Sequence, residues 1–376
     1  MGKLYNEKLQ LFRDNVSMKH TDRIPYLSNA FTWKVFDSEF SLPEAVRDSA
    51  KMEKAVCGFH ERYHFDAYMD IGARNPVRVL DALGSSYYEI TDAGLNVVDH
   101  VLMEPEEYTE YAKNPDLFGW TKLMKRKFPD VKGKHIEAAL MEFLGHANFT
   151  GQIGKKFVEE YECPSVYGGA NVVIPPYEYF FQTTRGIRNM GRDARKYKEQ
   201  LIEAINAQLE KNVLPGLKYA LSQDSSMYVC DTYMAIIGYG ILSEKQFGEI
   251  YWPTVKTVLD LLDKADKTMY VFCEGEMLRY ADYFQDIPKG RVVLHVENDD
   301  IFEVRKRLPG LCLAGGMKVE LLGNGTPQEC VDYAKKLIDE LGDGYIFSEN
   351  KMLSFKNDCK RENLLAVREF VRDYRR

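Results

Sequence analysis

No run in the sequence approaches ~18 consecutive apolar residues, so it offers no membrane-spanning helix. The N-terminal stretch MGKLYNEKLQLFRDNV has the spacing of an amphipathic helix and lacks the apolar core of a secretory signal, so no such signal is expected. Paired cysteines are missing too. The seven cysteines stand at 57, 163, 230, 273, 312, 330 and 359, an odd number with no C-x-x-C, which excludes a disulfide framework and points to reduced thiols in the cytoplasm. Basic residues are not in excess: Lys+Arg 50 against Asp+Glu 57 gives a net charge of −7 and a pI near 5.7. Nucleic acid and anionic membrane would each call for a basic surface, so neither is expected as a partner. No Gly/Ser linker, low-complexity tract or fixed-period repeat divides the chain.

What remains is an ordinary globular composition, 45% hydrophobic, 12% aromatic and 28% charged, which excludes disorder as the dominant state. At 376 residues the chain has the length of two average domains or of one α/β barrel. Residues 1–65 read as mostly helical, interrupted by HTDRIP. Apolar residues recur three and four apart over 193–213 and 243–264. Thr326-Pro-Gln-Glu329 places a capping hydroxyl before proline and sets a glutamate for a capping box, and a last helix spans 361–375.

Between these helices lie short runs that are apolar on both faces: SMYVCD (226–231), TMYVFCE (268–274), RVVLHV (291–296), LCLAGG (311–316) and GYIFSE (344–349). Such runs suit parallel strands covered on two sides, and their alternation with helices means right-handed βα units. Five units with room for three more fit a single (β/α)8 TIM barrel over 1–376 with a helical N-terminal segment. No G-x-G-x-x-G follows any of these strands, which weakens a dinucleotide-binding sheet.

In such a barrel the chemistry sits at the C-terminal strand ends. The residues that close the runs are therefore the informative ones: Asp231, Glu274, His295, Gly315 with Gly316, and Glu349. Asp231, Glu274 and His295 end three consecutive runs, and carboxylate with imidazole is a donor set for catalytic Zn²⁺ with one open position. Helix capping and an internally satisfied core histidine are the competing structural roles. Cys273 and Glu274 must point to opposite faces of one strand, and Glu274, followed by Gly275, lies nearer the strand end. Gly325-Thr-Pro327 exposes N–H groups that could take an anion, although simple capping explains them better. His60-Glu-Arg-Tyr-His64 has the zinc-protease pattern but precedes the βα series with no third ligand in view, so it reads as a helix face. Aromatic residues crowd two loop-like stretches, SNAFTWKVF (28–36) and PPYEYFF (175–181). Asn29, Phe31, Trp33, Tyr177, Tyr179 and Phe180 are candidates for a substrate pocket, with Tyr233 beside Asp231.

The C-terminal third, LCLAGGMKVELLGNGTPQECVDYAKKLIDELGDGYIFSENKMLSFKNDCKRENLLAV, together with TDRIPY and the FDAYMDIG segment, resembles the uroporphyrinogen decarboxylase superfamily. The resemblance covers nearly the whole chain and implies a (β/α)8 barrel. It also implies one of two activities, decarboxylation or zinc-dependent methyl transfer to or from a corrinoid protein. The arginine-rich N-terminal stretch of the decarboxylases is absent: after Arg23-Ile24-Pro25 the chain reads YLSNAFTWKVF with no basic residue before Lys34. A substrate with many carboxylates would lack its counter-charges there. Asp70 alone matches the decarboxylase aspartate.

The thiol-specific methyltransferases of the superfamily carry H-x-C-G and a later cysteine. Here Phe272 and Glu274 stand at the first two positions, and the later cysteine falls near Leu353. The ether-demethylating members pair a glutamate with a histidine about twenty residues on, as Glu274 and His295 are paired. The resemblance thus implies the substrate-side methyltransferase of an O-demethylase, with zinc on Glu274 and His295. The third ligand would be Asp231, ahead of Cys230, Cys273 and Glu276. The methyl donor would be a small methoxylated, aromatic substrate, and the acceptor a corrinoid (cobalamin) carried by a partner protein. A decarboxylase using Asp70 and a non-catalytic binder of a tetrapyrrole or corrinoid protein are the alternatives.

Overall fold

The computed structural model describes residues 2–70, 76–169 and 171–376; Ile71 and Gly72 of the FDAYMDIG segment lie outside them. Its centre is a parallel sheet of six strands. These are β5 (Val172–Val173), β6 (Thr232–Ile236), β7 (Met269–Cys273), β8 (Val292–Val296), β9 (Cys312–Met317) and β10 (Tyr345–Glu349), laid side by side in that order. All residues of β7, β8, β9 and β10 are buried, as two-sided apolar runs require. Four of the five expected strands form within a residue of the expected bounds. The first does not: SMYVCD is irregular chain, and the strand starts only at Thr232.

Two shorter strands, β1 (Leu27–Ser28) and β2 (Ala67–Tyr68), pair in parallel with each other. Single bridges tie this pair to its surroundings, Tyr26 to Phe347 and Tyr68 to Ser165. Val229 N donates to Ser165 O at 3.2 Å and Cys230 N to Val166 O at 2.8 Å. The α/β class and the parallel sheet are as expected, whereas among the described residues the continuous ladder has six strands rather than eight. A small antiparallel pair, β3 (Tyr88–Ile90) and β4 (Leu95–Val97), stands apart.

Strand alternation divides the core in two. Met234, Ile236, Met269, Val271, Cys273, Leu294 and Val296 pack outward against helices such as Trp252–Lys264 and Pro327–Leu341. Tyr233, Tyr270, Phe272, Val293, Cys312, Ala314 and Ile346 form a second cluster on the other face with Leu27 and Ala67. The N-terminal helix Lys3–Val16 joins this inner cluster through Tyr5, Leu9, Phe12 and Val16. Tyr5 Oη donates to Met227 O at 2.6 Å and Arg13 Nη2 to Tyr228 O at 3.0 Å, which seats that helix just ahead of β6. The N-terminal end of the inner face is thus plugged, and access is left to the C-terminal end.

The helix Pro327–Leu341 begins as its sequence dictates, with Thr326 N donating to Glu329 Oε2 at 2.8 Å and Glu329 N to Thr326 Oγ1 at 3.3 Å. This is capping, and it uses the N–H groups that an anion would otherwise occupy. Within the described residues no helix is long and apolar enough to cross a membrane.

Candidate active site at the strand ends

β7 carries its side chains alternately inward and outward. Phe272 lies in the inner cluster and Cys273 in the outer one, so alternation carries Glu274 to the side of Phe272, directly past the strand end. Glu274 N donates to Ile236 O at 3.0 Å, which holds the strand end to β6. Burial among apolar neighbours pushes the Cys273 thiol well above its ordinary range, and the nearby carboxylates of Asp299 and Glu297 push it further, leaving a protonated packing residue.

Below Glu274 the inner face is aromatic. The rings of Tyr167 and Tyr233 stack at 4.4 Å and 19°, Tyr233 and Tyr270 at 6.3 Å and 17°, and Phe272 lies 4.4 Å from the His295 ring. Tyr233 is therefore on the inner wall, buried between Tyr167 and Tyr270. Tyr167 and Tyr270 were not anticipated. The signal for Tyr270 was present in TMYVFCE, where it has the same parity as Phe272 and Glu274. Tyr167 sits in a stretch too short to show alternation.

His295 is fully buried on this face and both ring nitrogens are engaged. Nε2 lies 2.8 Å from the Asn350 carbonyl oxygen, which can only accept, so Nε2 carries the proton. Nδ1, 2.6 Å from Tyr270 Oη, then accepts the phenolic proton. Burial disfavours the charged ring and pulls its pKa down to about 4. His295 is a neutral, internally satisfied core histidine with no lone pair left for a metal.

Asp231 lies at the wrong end of its strand. It precedes β6, at the N-terminal end, because the expected strand 226–231 does not exist. Its Oδ2 accepts from Thr268 N at 2.7 Å and Thr268 Oγ1 at 2.9 Å, and its Oδ1 from Lys267 Nζ at 3.0 Å and from Ser225 Oγ. Burial opposes ionisation of this carboxyl, but those donors outweigh it and hold its pKa below the usual carboxylate range. Cys230, beside it, is buried and protonated. The three expected zinc ligands are thus not assembled, and among the described residues no group of three His, Cys, Asp or Glu side chains is placed to hold a metal ion.

The aromatic stretches also divide. Tyr177 and Phe180 are fully buried in the outer core, and Tyr179 packs against the same cluster. Trp33 is buried there too, edge-on to Phe59 at 6.2 Å. None of the four lines the inner face. A four-residue helix, Pro176–Tyr179, turns 175–181 into structural packing, and Glu178 clamps it to the end of β6 by accepting from Ile237 N and Gly238 N, both at 2.8 Å. Phe31 lines a cavity of about 260 Å³ against the helix Gly133–Glu159. Asn29 N donates to Glu349 Oε2 at 2.8 Å, and Tyr26 Oη to Glu349 Oε1 at 2.6 Å. Burial pushes the Glu349 carboxyl up, and these donors only partly counter it. Asp70, buried just past β2, accepts the Lys34 ammonium on its backbone oxygen.

Glu297, which the sequence reading overlooked, is the acid that follows β8. Its Oε2 accepts from Gly275 N at 2.5 Å, and burial raises its pKa. With Asn298, Gly316, Lys318 and Asn350 it lines a cleft of about 530 Å³. Asn350 ties three strand ends together, donating Nδ2 to Glu297 O at 2.8 Å, accepting from Val319 N at 2.9 Å and accepting from His295. The sequence signal was V-E-N-D-D directly after a strand, an acid one residue beyond the run that ended at Val296. Arg23 is engaged away from this mouth, forked onto Asp66 at 2.7 and 3.1 Å ahead of β1 and β2. His60 packs on Phe157 and Tyr161, with ring centroids at 5.0 and 4.6 Å, and burial pulls its pKa down to about 3.

A family profile described as uroporphyrinogen decarboxylase (URO-D) matches residues 182–374, just over half of the 376. The chain belongs to the uroporphyrinogen decarboxylase family. A solved structure, a methyltransferase from Methanosarcina mazei, superposes with a TM-score of 0.64 at 14% identity over 98% of each chain, which is a likeness of fold. No curated protein matches the sequence. The matched segment of this URO-D family member contains β6 to β10, and with them Tyr233, Tyr270, Glu274, His295, Glu297 and Asn350.

Proposed function

We propose that this URO-D family member is a methyltransferase that takes the methyl group of a small methoxylated aromatic compound and delivers it to a corrinoid carried by a separate protein. The observation that carries the reading is the aromatic inner face, Tyr167, Tyr233 and Phe272, with Glu274 directly past the end of β7. The fold likeness to a methyltransferase over 98% of the chain supports it. We read β1, β2 and the bridges Tyr26–Phe347 and Tyr68–Ser165 as the remainder of the barrel that the family fold implies. The polycarboxylate alternative is disfavoured because Arg23 is held by Asp66 at the opposite end from the mouth.

The partner's corrinoid would supply the nucleophilic cobalt that receives the methyl group. This chain's part is to bind the aryl ring, hold it in line and manage the charge left on the ether oxygen. Of the three stacked tyrosines Tyr167 alone is only partly buried, and aromatic contact with it would orient the ring at low entropic cost. As the methyl–oxygen bond breaks, the electron pair stays on oxygen and needs a proton. Glu297, whose carboxyl pKa is raised by burial above the ordinary glutamate range, is suited to give it. Asp231 and His295 do not take part as ligands in this reading.

The test is methyl transfer from a panel of methoxyphenols, methanol and methylthiols to a reduced free corrinoid, followed by the cobalt absorption change. Methoxyphenols should react and the other donors should not. Reaction of methanol or a methylthiol alone, or of none of the panel, would overturn the proposal.

A further inference from the structure

The helix Gly133–Glu159 carries two apolar stripes, and among the described residues only one of them is buried. Ala139, Phe149, Ile153 and Phe157 are buried. Turned by roughly 120° about the axis at ~100° per residue, a second stripe leaves Ile136, Leu140, Phe143 and Leu144 exposed by 59%, 56%, 52% and 53%. The same side continues through Ala147, Gly151 and Gly154 and carries no charge. Glycine inside a helix costs about 1 kcal/mol relative to alanine. A Cβ at Gly151 or Gly154 would meet nothing within 4 Å, so nothing inside the chain calls for glycine there.

We propose that this stripe is a twofold interface and that its occupant is the same helix of a second copy, running antiparallel. With the axis between Phe143 and Leu144, Ile136 falls opposite Gly151, Leu140 opposite Ala147, and Phe143 opposite Leu144. A large side chain meets a small one on either side of the axis, which lets the two backbones approach closely, and the patch is complementary to itself, as a twofold contact requires. The two stripes together would bury roughly 1,000 Å² in all, the lower limit for a specific interface, so the dimer should be reversible and concentration-dependent. No part of this rests on the reaction proposed above.

Sedimentation equilibrium from about 1 to 100 µM should show the mass rise from 43.4 kDa towards twice that value. Phe143→Glu should weaken association at least tenfold. Gly151→Leu should also weaken it by filling the groove, while raising the thermal stability of the monomer because leucine favours helix. The native cysteines are all buried, so Leu144→Cys should oxidise to an interchain disulfide and Lys134→Cys, on another side of the helix, should not. A wild-type chain that stays at 43.4 kDa throughout, Phe143→Glu and Gly151→Leu dimers of unchanged strength, or equal cross-linking at 134 and 144 would overturn the proposal.

Discussion

Two acids flank the same parallel sheet at opposite ends. At the N-terminal end Asp231 takes hydrogen bonds from Ser225, Lys267 and Thr268 and fastens the start of β6 to the start of β7. At the C-terminal end of β7, Glu274 is the first residue past the strand, two after the inner-face residue Phe272. One acid is held by the side-chain and backbone donors around it at the strand's start, and the other stands past a strand's end. A strand-adjacent carboxylate is therefore read by the end it occupies, not by its residue type. The aromatic residues repeat the contrast across the sheet: Tyr177 and Phe180 fill the outer core, while Tyr233 and Phe272 line the inner face.

The contrast between the faces can be broken most strongly at Phe180. Phe180→Ala should cost about 3–5 kcal/mol of stability through the cavity it leaves, seen as a lower melting temperature, with KM for any methyl donor unchanged. A raised KM in the folded variant would return 175–181 to the substrate pocket.

His295 gives the next largest effect, and its sign is fixed by the lowered pKa. With about 4 in the folded state and ~6.5 unfolded, the unfolded chain takes up the proton first as pH falls. Stability due to the neutral ring is complete above about pH 6.5 and is lost towards pH 4, by up to about 3 kcal/mol. His60 acts in the same direction. Urea titrations at several pH values should show a shallower decline for His295→Asn than for the wild type. Equal slopes would mean that His295 titrates normally and is not the sealed core residue described.

Asp231→Asn should be smaller, about 1–2 kcal/mol, because the amide keeps the shape but loses charge-assisted bonds to Lys267. Because its carboxyl pKa is depressed, the loss is full above the ordinary carboxylate range, shrinks as pH falls through the lower native value, and vanishes in acid, where both chains carry a neutral side chain. Cys273→Ser should be the mildest in function, leaving methyl transfer intact; loss of transfer in folded protein would place the outer face of β7 in the site.

Most of the strand register was legible because β7 to β10 are two-sided apolar runs with turn residues at both ends. β6 was misplaced because SMYVCD shows burial, not ladder pairing: Val229 and Cys230 bond to Ser165 and Val166, and the sheet strand begins after Asp231. That shift alone removed Asp231 from the mouth. β1 and β2 are two residues each, too short for any periodicity to register. Glu274 was legible from alternation beside Cys273. Glu297 was not, because it lies one residue past the apolar run 291–296 and reads as loop in V-E-N-D-D.

The most direct test sets Glu297, past the end of β8, against Asp231 in single-turnover methyl transfer from a methoxyphenol to a reduced corrinoid, at a temperature where circular dichroism shows both variants folded. Glu297→Gln should lose about 100-fold or more of the rate, and Asp231→Asn should keep its rate while melting lower. Full activity in Glu297→Gln, or its loss in folded Asp231→Asn, would contradict a site at the C-terminal strand ends.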